Sequence, residues 1–254
     1  MSKTMEQVAR ENRAKLSANP YPGRGIVIGT SQDGMYAVQI YWIMGRSENS
    51  RNRVFKVDGT RLYTEAFDPT KVKDPSLIIY NAMSETFGRF VVSNGSQTDE
   101  VIKQLSRHYG TLQKSLAEQL YEPDTPNFTP RITGVCTIHP EVGKYTAELS
   151  ILRKSEMVSG DNCERSFYEY NGIMPGLGFC ITTYSGDGNP LPAFEGSPYP
   201  LPIIGRDIRA IMHTYWSILN EDNRVSLAVR LINLHARESS ISVINKNSQA
   251  PTES

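Results

Sequence analysis

The sequence predicts an α+β fold with mostly antiparallel sheets. Segments rich in β-branched and aromatic residues occur in groups, and short turn signals join them. Two long segments in the body of the chain place apolar residues at helical spacing, and each follows a group of strands. Strict alternation of strand and helix, which is typical of parallel sheets, is absent. Two sheets stacked face to face, with helices outside, would satisfy this pattern.

The first half of the chain is predicted to form hairpins followed by a helix. The turn signal Ser31–Gly34 separates two apolar segments, and Asp58-Gly59 separates another pair. Apolar residues recur at helical spacing over residues 99–120, and Gly110 is a point where this helix would break or kink. The strands of this half are predicted at residues 25–30, 35–44, 53–57, 61–64, 76–82 and 89–93.

The second half has the same character, and the two ends of the chain differ from its body. A Pro/Gly-rich loop is predicted over residues 185–202 and a second helix over 206–219. Residues 1–20 read as a helical N-terminal extension, 21–236 as one domain, and 237–254 as a flexible Ser/Asn-rich tail. The remaining strands are predicted at residues 132–138, 145–153, 166–170, 178–184 and 225–234.

The composition argues against several classes of protein. Lys+Arg and Asp+Glu both number 27, so the net charge is zero and gives no reason to expect nonspecific binding to nucleic acid or an anionic membrane. Cys136, Cys163 and Cys180 are far apart and lack C-x-x-C spacing, which argues against a disulfide framework and a zinc site. The N-terminus is polar, and no segment approaches the ~20 apolar residues of a transmembrane helix. We therefore expect a cytoplasmic protein.

Arginines are concentrated in the first quarter of the chain. Arg24 precedes the first strand, and Arg46, Arg51 and Arg53 follow the second strand in the segment GRSENSRNR. A guanidinium is a planar fork of donors suited to phosphate and carboxamide oxygens. The segment is therefore either a solvated loop or an anion site, and the density of arginines in a neutral chain favours the anion site.

The segment SNGSQTD joins a predicted strand to the predicted helix. Its small residues, Asn94, Gly95 and Thr98 among them, would present backbone N–H groups at a helix N-terminus, where an anion is favoured. It lacks the G-x-x-x-x-G-K-[ST] pattern, so no P-loop is indicated. The four histidines also lack metal-binding spacing. Alone, these features support only an α+β protein with an anion site.

Six segments between residues 21 and 198 have distinctive sequences. They are YPGRGIVIG, GRSENSRNR, LIIYNAM, VVSNGSQTDEV, YEPDTPNFTPRITG and CITTYSGDGNPLPAFEGSP. These motifs and their order resemble those of the archaeal-type IMP cyclohydrolase family, over roughly residues 21–200. The resemblance implies a four-layer α/β/β/α sandwich like that of the N-terminal-nucleophile (Ntn) hydrolases. Neither Met1 nor Tyr21 offers the Cys, Ser or Thr nucleophile of those hydrolases.

The resemblance also implies a reaction: ring closure of 5-formamidoimidazole-4-carboxamide ribonucleotide to IMP and water, without metal or cofactor. Arg46, Tyr80 and Glu122 match the family's proposed catalytic Arg, Tyr and Glu. Arg46 would polarise the formyl or carboxamide oxygen, Tyr80 would donate to the oxyanion or leaving oxygen, and Glu122 would handle the amide proton. Arg51 or Arg53 would be able to exchange roles with Arg46. Residues expected to bind the substrate are Arg24, Arg51, Arg53, Asn94, Gly95, Thr98 and Arg131.

Two other functions remain open at this point. One is a purine-nucleotide-binding or sensing protein that keeps the arginines without turnover. The other is an Ntn-type amidohydrolase matured by cleavage. The first 20 residues and the segment after about residue 200 lie outside the resemblance, so substrate identity and packing into a homo-oligomer also stay open.

Overall fold

The computed structural model describes residues 3–72, 75, 79–155, 157 and 162–247. The helices are α1 (Met5–Ala18), α2 (Glu48–Arg51), α3 (Gln97–Leu105), α4 (Leu112–Ser115) and α5 (Ile208–Ile218), with a short 3-10 helix at Pro69–Lys71. The strands are β1 (Gly25–Thr30), β2 (Tyr36–Met44), β3 (Val54–Asp58), β4 (Arg61–Glu65), β5 (Asn81–Thr86), β6 (Arg89–Ser93), β7 (Arg131–Ile138), β8 (Tyr145–Lys154), β9 (Cys163–Tyr170), β10 (Leu177–Thr182), β11 (Tyr199–Pro202), β12 (Arg224–Asn233) and β13 (Ser239–Asn245). None of the helices within these residues is long and apolar enough to cross a membrane.

The strands form two sheets, and all pairs of neighbouring strands within them are antiparallel. The first sheet has the order β11-β10-β1-β2-β12-β13, and the second has the order β3-β4-β5-β6-β7-β8-β9. All neighbours in the second sheet are consecutive in the chain; some are joined by short turns, as in a hairpin, whereas β6 and β7 are joined by the segment that contains α3 and α4. The predicted α+β class with antiparallel sheets is therefore confirmed.

Strand β2 is covered on both faces, and this explains why its sequence is an almost unbroken apolar run. Tyr41 and Ile43 point into the core between the two sheets, whereas Ile40 and Trp42 point outward. Because side chains alternate along a strand, both faces of β2 must be apolar when both are covered. Gly25 lies opposite Trp42 in the sheet, and a Cβ at Gly25 would overlap the indole, so glycine is required where β1 begins.

Three apolar clusters stabilise the fold. The largest lies between the sheets, where Ile26 and Ile28 of β1 pack in one cluster with Ile132 of β7. Helix α5 covers the outer face of the first sheet through Ile211 and Tyr215, and α1 adds Leu16 to this cluster. A third cluster joins α3 and α4 to the second sheet; its members include Val101, Leu105, Leu112, Val91 and Val135. Complete burial of one such aliphatic side chain contributes about 1.5–3 kcal/mol.

The predicted helix over residues 99–120 is two helices. Helix α3 ends at Leu105, and the backbone turns through residues 106–111 before α4 begins at Leu112. Gly110 lies so close to the Gln104 backbone that any Cβ there would overlap it. The apolar residues of both helices nevertheless pack in the same cluster. Because both helices cover one surface, their apolar residues together give the spacing expected of one long helix.

The C-terminal segment is also more ordered than its composition indicates. The tail from Arg237 was expected to be frayed, but Ser239–Asn245 is strand β13 and pairs with β12 at the edge of the first sheet. The Asn245 side chain bonds the Phe55 backbone in both directions (2.8 and 3.1 Å) and so links the sheets. Residues 248–254 of the predicted tail lie outside the described residues.

Other boundaries differ in smaller ways. Strands β1 and β6 have the predicted bounds, and α1 confirms the predicted N-terminal helix. The strand predicted at 76–82 begins instead at Asn81, and residues 76–78 lie outside the described part of the chain. The loop predicted over 185–202 contains the short strand β11, which pairs with β10.

Candidate active site

A polar cleft of about 230 Å³ opens at one end of the first sheet, where β1 begins and β2 and β10 end. Its walls come from the segment before β1, the segment between β2 and β3, the loop before β7 and the loop after β10. The lining residues are Tyr21, Gly23, Arg24, Met44, Arg46, Ser47, Ser50, Arg53, Asp124, Asn127, Thr129, Thr183, Tyr184 and Leu191. Four separate segments of sequence therefore meet in one small volume.

Arg24 and Glu122 form a buried ion pair at the cleft. Arg24 Nη1 donates to Glu122 Oε1, and both side chains are almost fully shielded from solvent. The Glu122 amide donates to the Thr129 carbonyl (2.9 Å), which holds the carboxylate's backbone in place. Burial alone would lower the pKa of Arg24, but Glu122, Tyr80 and Tyr41 together outweigh it and hold that pKa well above its ordinary value.

Arg53 is the second buried cation of the cleft, and it is short of acceptors. Only 3% of the residue is exposed. Its Nε donates to the Ser50 carbonyl (3.0 Å), whereas Nη1 is buried without a hydrogen-bond partner among the described residues. Burial lowers the pKa of Arg53, and the like charge of Arg24 lowers it further. A buried guanidinium with an unused donor is a group prepared to bind an anion.

Tyr80 lies directly before β5, at the inner end of this cluster. Its backbone is held by Thr64 of β4 through hydrogen bonds of 3.0 Å in each direction, and its hydroxyl contacts the Tyr41 hydroxyl at 2.7 Å. Tyr80 also interacts electrostatically with Arg24 and Arg53. The phenol therefore belongs to the same charged cluster, although it does not line the open part of the cleft.

Arg131 lies at the start of β7 beside the same cluster. Its Nη1 donates to Gln97 Oε1 (2.6 Å). Burial lowers the pKa of Arg131; Glu122 opposes this, and Arg24 adds to it. No carboxylate lies within ion-pair distance of Arg53 or Arg131 in the part of the chain that the structure describes. Arg24, Arg53 and Arg131 thus have one ion-pair partner among the described residues, Glu122, and Asp124 adds a more distant negative charge near Arg131.

The side chains of the segment between β6 and α3 mainly form hydrogen bonds to the backbone at the start of β7 and within the segment itself. Asn94 is completely buried; its amide donates to the Pro130 carbonyl (2.9 Å) and its Oδ1 accepts from the Ile132 amide (2.8 Å). Thr98 is buried against Ser93 and Gly95. Neither residue lines the cleft. Their expected contacts with substrate, and that of Gly95, stay predictions.

Arg46 lies at the mouth of the cleft. It pairs with Asp187, donates to the Gly188 carbonyl (3.1 Å) and lies over the Tyr21 ring, 4.9 Å from its centroid. Tyr21 in turn stacks on Tyr184 at 6.0 Å between centroids. Because about a third of the Arg46 side chain is exposed, it is free to exchange Asp187 for another anion at small cost.

Arg51 is not brought to the cleft. Its Nε donates to the Gly45 carbonyl (2.9 Å) and its Nη2 to Asn223 Oδ1 (3.2 Å). In helix α2 the chain reverses direction within four residues, so the arginines of GRSENSRNR separate. Of that segment, Arg46 and Arg53 line the cleft and Arg51 does not.

Sequence reasoning missed two groups of the site. Tyr41 was read as an ordinary residue of an apolar strand, and only the fold brings its hydroxyl to Tyr80. Asp124, Thr129 and Tyr184 form a hydrogen-bonded chain: Thr129 donates to Asp124 Oδ2, and the hydroxyls of Thr129 and Tyr184 are in contact. The segments YEPDTPNFTPRITG and CITTYSGDGNPLPAFEGSP contain this second group, so their polar residues were the available signal.

The arrangement has a definite chemical capacity. It combines a net excess of positive charge, the carboxylates of Glu122 and Asp124, and one buried phenol pair. Such a site binds an anionic or strongly polar ligand, stabilises charge that develops on oxygen, and offers both a proton donor and a proton acceptor. Within the described residues, no three His, Cys, Asp or Glu side chains gather closely enough to hold a metal ion. The expected independence from metal and cofactor stays a prediction.

Comparisons with known proteins agree with this capacity. A family described as "IMP cyclohydrolase-like protein" matches residues 21–237. A protein of Methanosphaera stadtmanae named IMP cyclohydrolase is 32% identical over 157 residues, which cover 59% of this chain and 75% of that protein. A protein of Haloquadratum walsbyi with the same name is 28% identical over 137 residues, 52% of this chain and 65% of that protein, which is less than two thirds of its length.

Proposed function

This chain belongs to the IMP cyclohydrolase-like family, and we propose that it is an IMP cyclohydrolase that closes the ring of 5-formamidoimidazole-4-carboxamide ribonucleotide. The similarity to two proteins named IMP cyclohydrolase supports the proposal. The observation that carries it is the buried cluster in which the Arg24–Glu122 pair lies beside the unpartnered Nη1 of Arg53 and the phenol of Tyr80. The molecule that this chain binds would thus be its substrate, a phosphorylated purine precursor.

The reaction requires positioning and proton transfer. The carboxamide nitrogen forms a bond to the formyl carbon and loses a proton, while the formyl oxygen gains one, which yields a tetrahedral carbinolamine. The carbon–oxygen bond then breaks. The hydroxyl leaves as water with a second proton, and the former formamido nitrogen loses its proton as the ring double bond forms. Both nitrogens lose a proton and the oxygen gains two, so no external acid or oxidant is needed.

The cleft residues fit these steps in distinct roles. Glu122 is the only carboxylate paired with the buried arginines, so it accepts the proton that the attacking nitrogen loses. Tyr80 donates a proton to the oxygen that becomes water. Arg53, with its unused Nη1, polarises the formyl oxygen and stabilises the oxyanion. Arg46 at the exposed mouth holds the phosphate, so Arg53 takes the polarising role that the sequence alone placed on Arg46.

The proposal extends to the finer fold. The apolar cluster between the two sheets, and the helices that cover each outer face, support a four-layer α/β/β/α arrangement of the Ntn-hydrolase type. In that arrangement residues 21–236 form the catalytic domain and the N-terminal extension is an addition. A cytoplasmic location and assembly into a homo-oligomer remain part of the proposal.

Turnover by the purified protein tests the function. With the formamido ribonucleotide as substrate, the ultraviolet spectrum should change to that of IMP, at a rate unaffected by added chelator. IMP binding without turnover would contradict the proposal and favour the nucleotide-sensing alternative. An intact mass showing removal of residues to expose Cys, Ser or Thr would instead favour the cleaved amidohydrolase.

The Tyr80→Phe variant sharpens the test. It removes one hydroxyl, so kcat should fall by about 100-fold, the scale of a lost general acid, while IMP affinity changes little. An unchanged kcat would remove Tyr80 from the mechanism. Thermal unfolding of the variant controls for loss of structure.

A further inference from the structure

Tyr41 is completely buried on β2, where it faces the core between the two sheets. Its ring packs against Phe55 with centroids 5.4 Å apart. Its hydroxyl lies 2.7 Å from the hydroxyl of Tyr80, and no other hydrogen bond of the Tyr41 hydroxyl occurs among the described residues. The Tyr41 hydroxyl is therefore a polar group in the apolar core whose one hydrogen bond among the described residues is to Tyr80.

The direction of this hydrogen bond follows from burial. A buried O–H that does not donate costs about 1–3 kcal/mol. Either hydroxyl is able to donate in this contact. Tyr41 is 0% exposed and has no other acceptor among the described residues, whereas Tyr80 is 6% exposed and lies beside the cleft cluster, where a ligand oxygen is able to accept its proton. With a ligand bound, Tyr41 is therefore the donor and Tyr80 the acceptor. Burial raises the pKa of Tyr41 well above its ordinary value, and the adjacent Tyr80 raises it further, so Tyr41 keeps its proton. The proton of Tyr80 is then directed away from Tyr41.

The Tyr80 hydroxyl has charged neighbours. Tyr80 interacts electrostatically with Arg24 and Arg53, both of which line the cleft, and Tyr41 interacts with the same two arginines. A guanidinium has no acceptor, so a Tyr80 proton that is not donated to Tyr41 is available to an oxygen of a bound ligand. A phenolate formed at Tyr80 would be held by the Tyr41 hydroxyl and by two guanidiniums.

We propose that Tyr41 is a positioning residue for ring closure: it donates a hydrogen bond to Tyr80, aims the Tyr80 proton into the cleft and stabilises the Tyr80 oxygen when that proton is transferred. The inference rests on the proposed function. In the dehydration step Tyr80 gives its proton to the leaving hydroxyl as the carbon–oxygen bond breaks. In the earlier ring-closing step Glu122 takes the proton of the attacking carboxamide nitrogen and passes it to the formyl oxygen. In the dehydration step Glu122 takes the proton of the former formamido nitrogen, and this second proton returns to Tyr80 between turnovers, so the cycle balances.

The Tyr41→Phe variant tests the proposal. It keeps the ring against Phe55 and removes only the donor. We expect kcat to fall about 10- to 100-fold, the value of one hydrogen bond to a charged group, with KM unchanged.

Tyr145→Phe is the matched control. Tyr145 belongs to the same core cluster, and its hydroxyl contacts Thr30 Oγ1 at 2.7 Å, but it lines a different cavity from the Arg24 cleft. This variant loses an equivalent buried hydroxyl, so its melting temperature should fall as much as that of Tyr41→Phe. Its kcat should equal that of the wild type.

A double-mutant cycle with Tyr80→Phe gives a second measurement. Once the Tyr80 oxygen is absent, loss of the Tyr41 hydroxyl should reduce kcat no further. Additive losses, or a change in KM alone, would overturn the proposal. Wild-type protein without turnover would refute the proposed function instead, so the two failures are distinguishable.

Discussion

Arg53 at the cleft and Arg230 between the sheets are two buried arginines with different environments. Arg53 is 3% exposed and Arg230 is completely buried, and among the described residues neither forms an ion pair. Burial lowers the pKa of both, that of Arg230 to about 10. Each also has one fully buried nitrogen without a hydrogen-bond partner in the described part of the chain, Nη1 in Arg53 and Nε in Arg230.

The difference between them lies in their acceptors. Arg230 donates from Nη1 to Gln39 Oε1 and to the Ser84 carbonyl, both at 3.3 Å, and from Nη2 to the Thr60 carbonyl. The side chain of Arg53 has one hydrogen bond, to Ser50, and it borders an open cleft. A buried cation that the protein surrounds with carbonyl oxygens supports the fold. One that lacks acceptors beside a cavity is prepared for a ligand.

The largest effect is expected where the buried Arg24 loses its ion-pair partner. Glu122→Gln leaves Arg24 buried without its carboxylate and removes the charge that opposes the like charges of Arg24 and Arg53. Loss of one partner of a buried ion pair lowers the free energy of unfolding by about 3–5 kcal/mol. Urea denaturation at neutral pH measures it, and unchanged stability would show that the pair is not buried as described.

Glu148→Gln is the matched control for this prediction. Burial raises the pKa of Glu148, and Glu169 opposite it on β9 raises it further. A raised carboxyl pKa favours the folded state at low pH, and this contribution is lost as the pH rises from the unfolded pKa through the folded one. Glu148→Gln should therefore not destabilise the protein at pH 7, whereas Glu122→Gln should.

Matched methionine variants test the comparison of the two arginines directly. Arg53→Met should weaken the binding of IMP about 10- to 100-fold, the equivalent of about 1.5–3 kcal/mol for hydrogen bonds to an anion. Its stability should be equal to that of the wild type or higher, because it removes an incompletely paired buried charge. Calorimetric titration with IMP gives the affinity, and thermal unfolding gives the stability.

Arg230→Met should show the opposite pattern. It leaves the acceptors on Gln39, Ser84 and Thr60 buried without a donor, so the free energy of unfolding should fall by about 1–3 kcal/mol. IMP affinity at a temperature well below the melting point should not change. A variant that kept its stability but lost affinity would refute the distinction drawn between the two arginines.

The smallest effect is expected at the cleft mouth. Asp187→Asn removes the exposed partner of Arg46, and an exposed ion pair contributes less than about 1 kcal/mol. IMP affinity should rise by no more than about fivefold, and the gain should shrink in high salt. Glu195→Gln, which removes an exposed carboxylate paired with Arg153, is the control and should leave affinity unchanged. Weaker binding in Asp187→Asn would mean that Asp187 positions Arg46 for the ligand.

Local patterns predicted most of the strands, and Gly110 marked the segment in which the helix predicted over residues 99–120 is interrupted. The hairpin of β1 and β2 follows from two apolar runs around Ser31–Gly34, and these are short-range properties. The single helix predicted over 99–120 failed because α3 and α4 pack on the same surface, so their apolar residues share one spacing. The polar composition after Arg237 concealed β13, which is held by pairing with a distant strand.

The sequence by itself determined the α+β class, the family resemblance and the set of arginines, tyrosines and carboxylates from which the site is built. The tertiary structure decided which of them meet. Arg24 and Glu122 are 98 positions apart, and Tyr41 and Tyr80 are 39 apart, yet each pair is in contact. Arg51, two residues from Arg53, points to other partners. Burial shifts the pKa of a charged side chain or a phenol and strengthens its electrostatic interactions. Burial results from the packing of the two sheets and is not a property of any short segment.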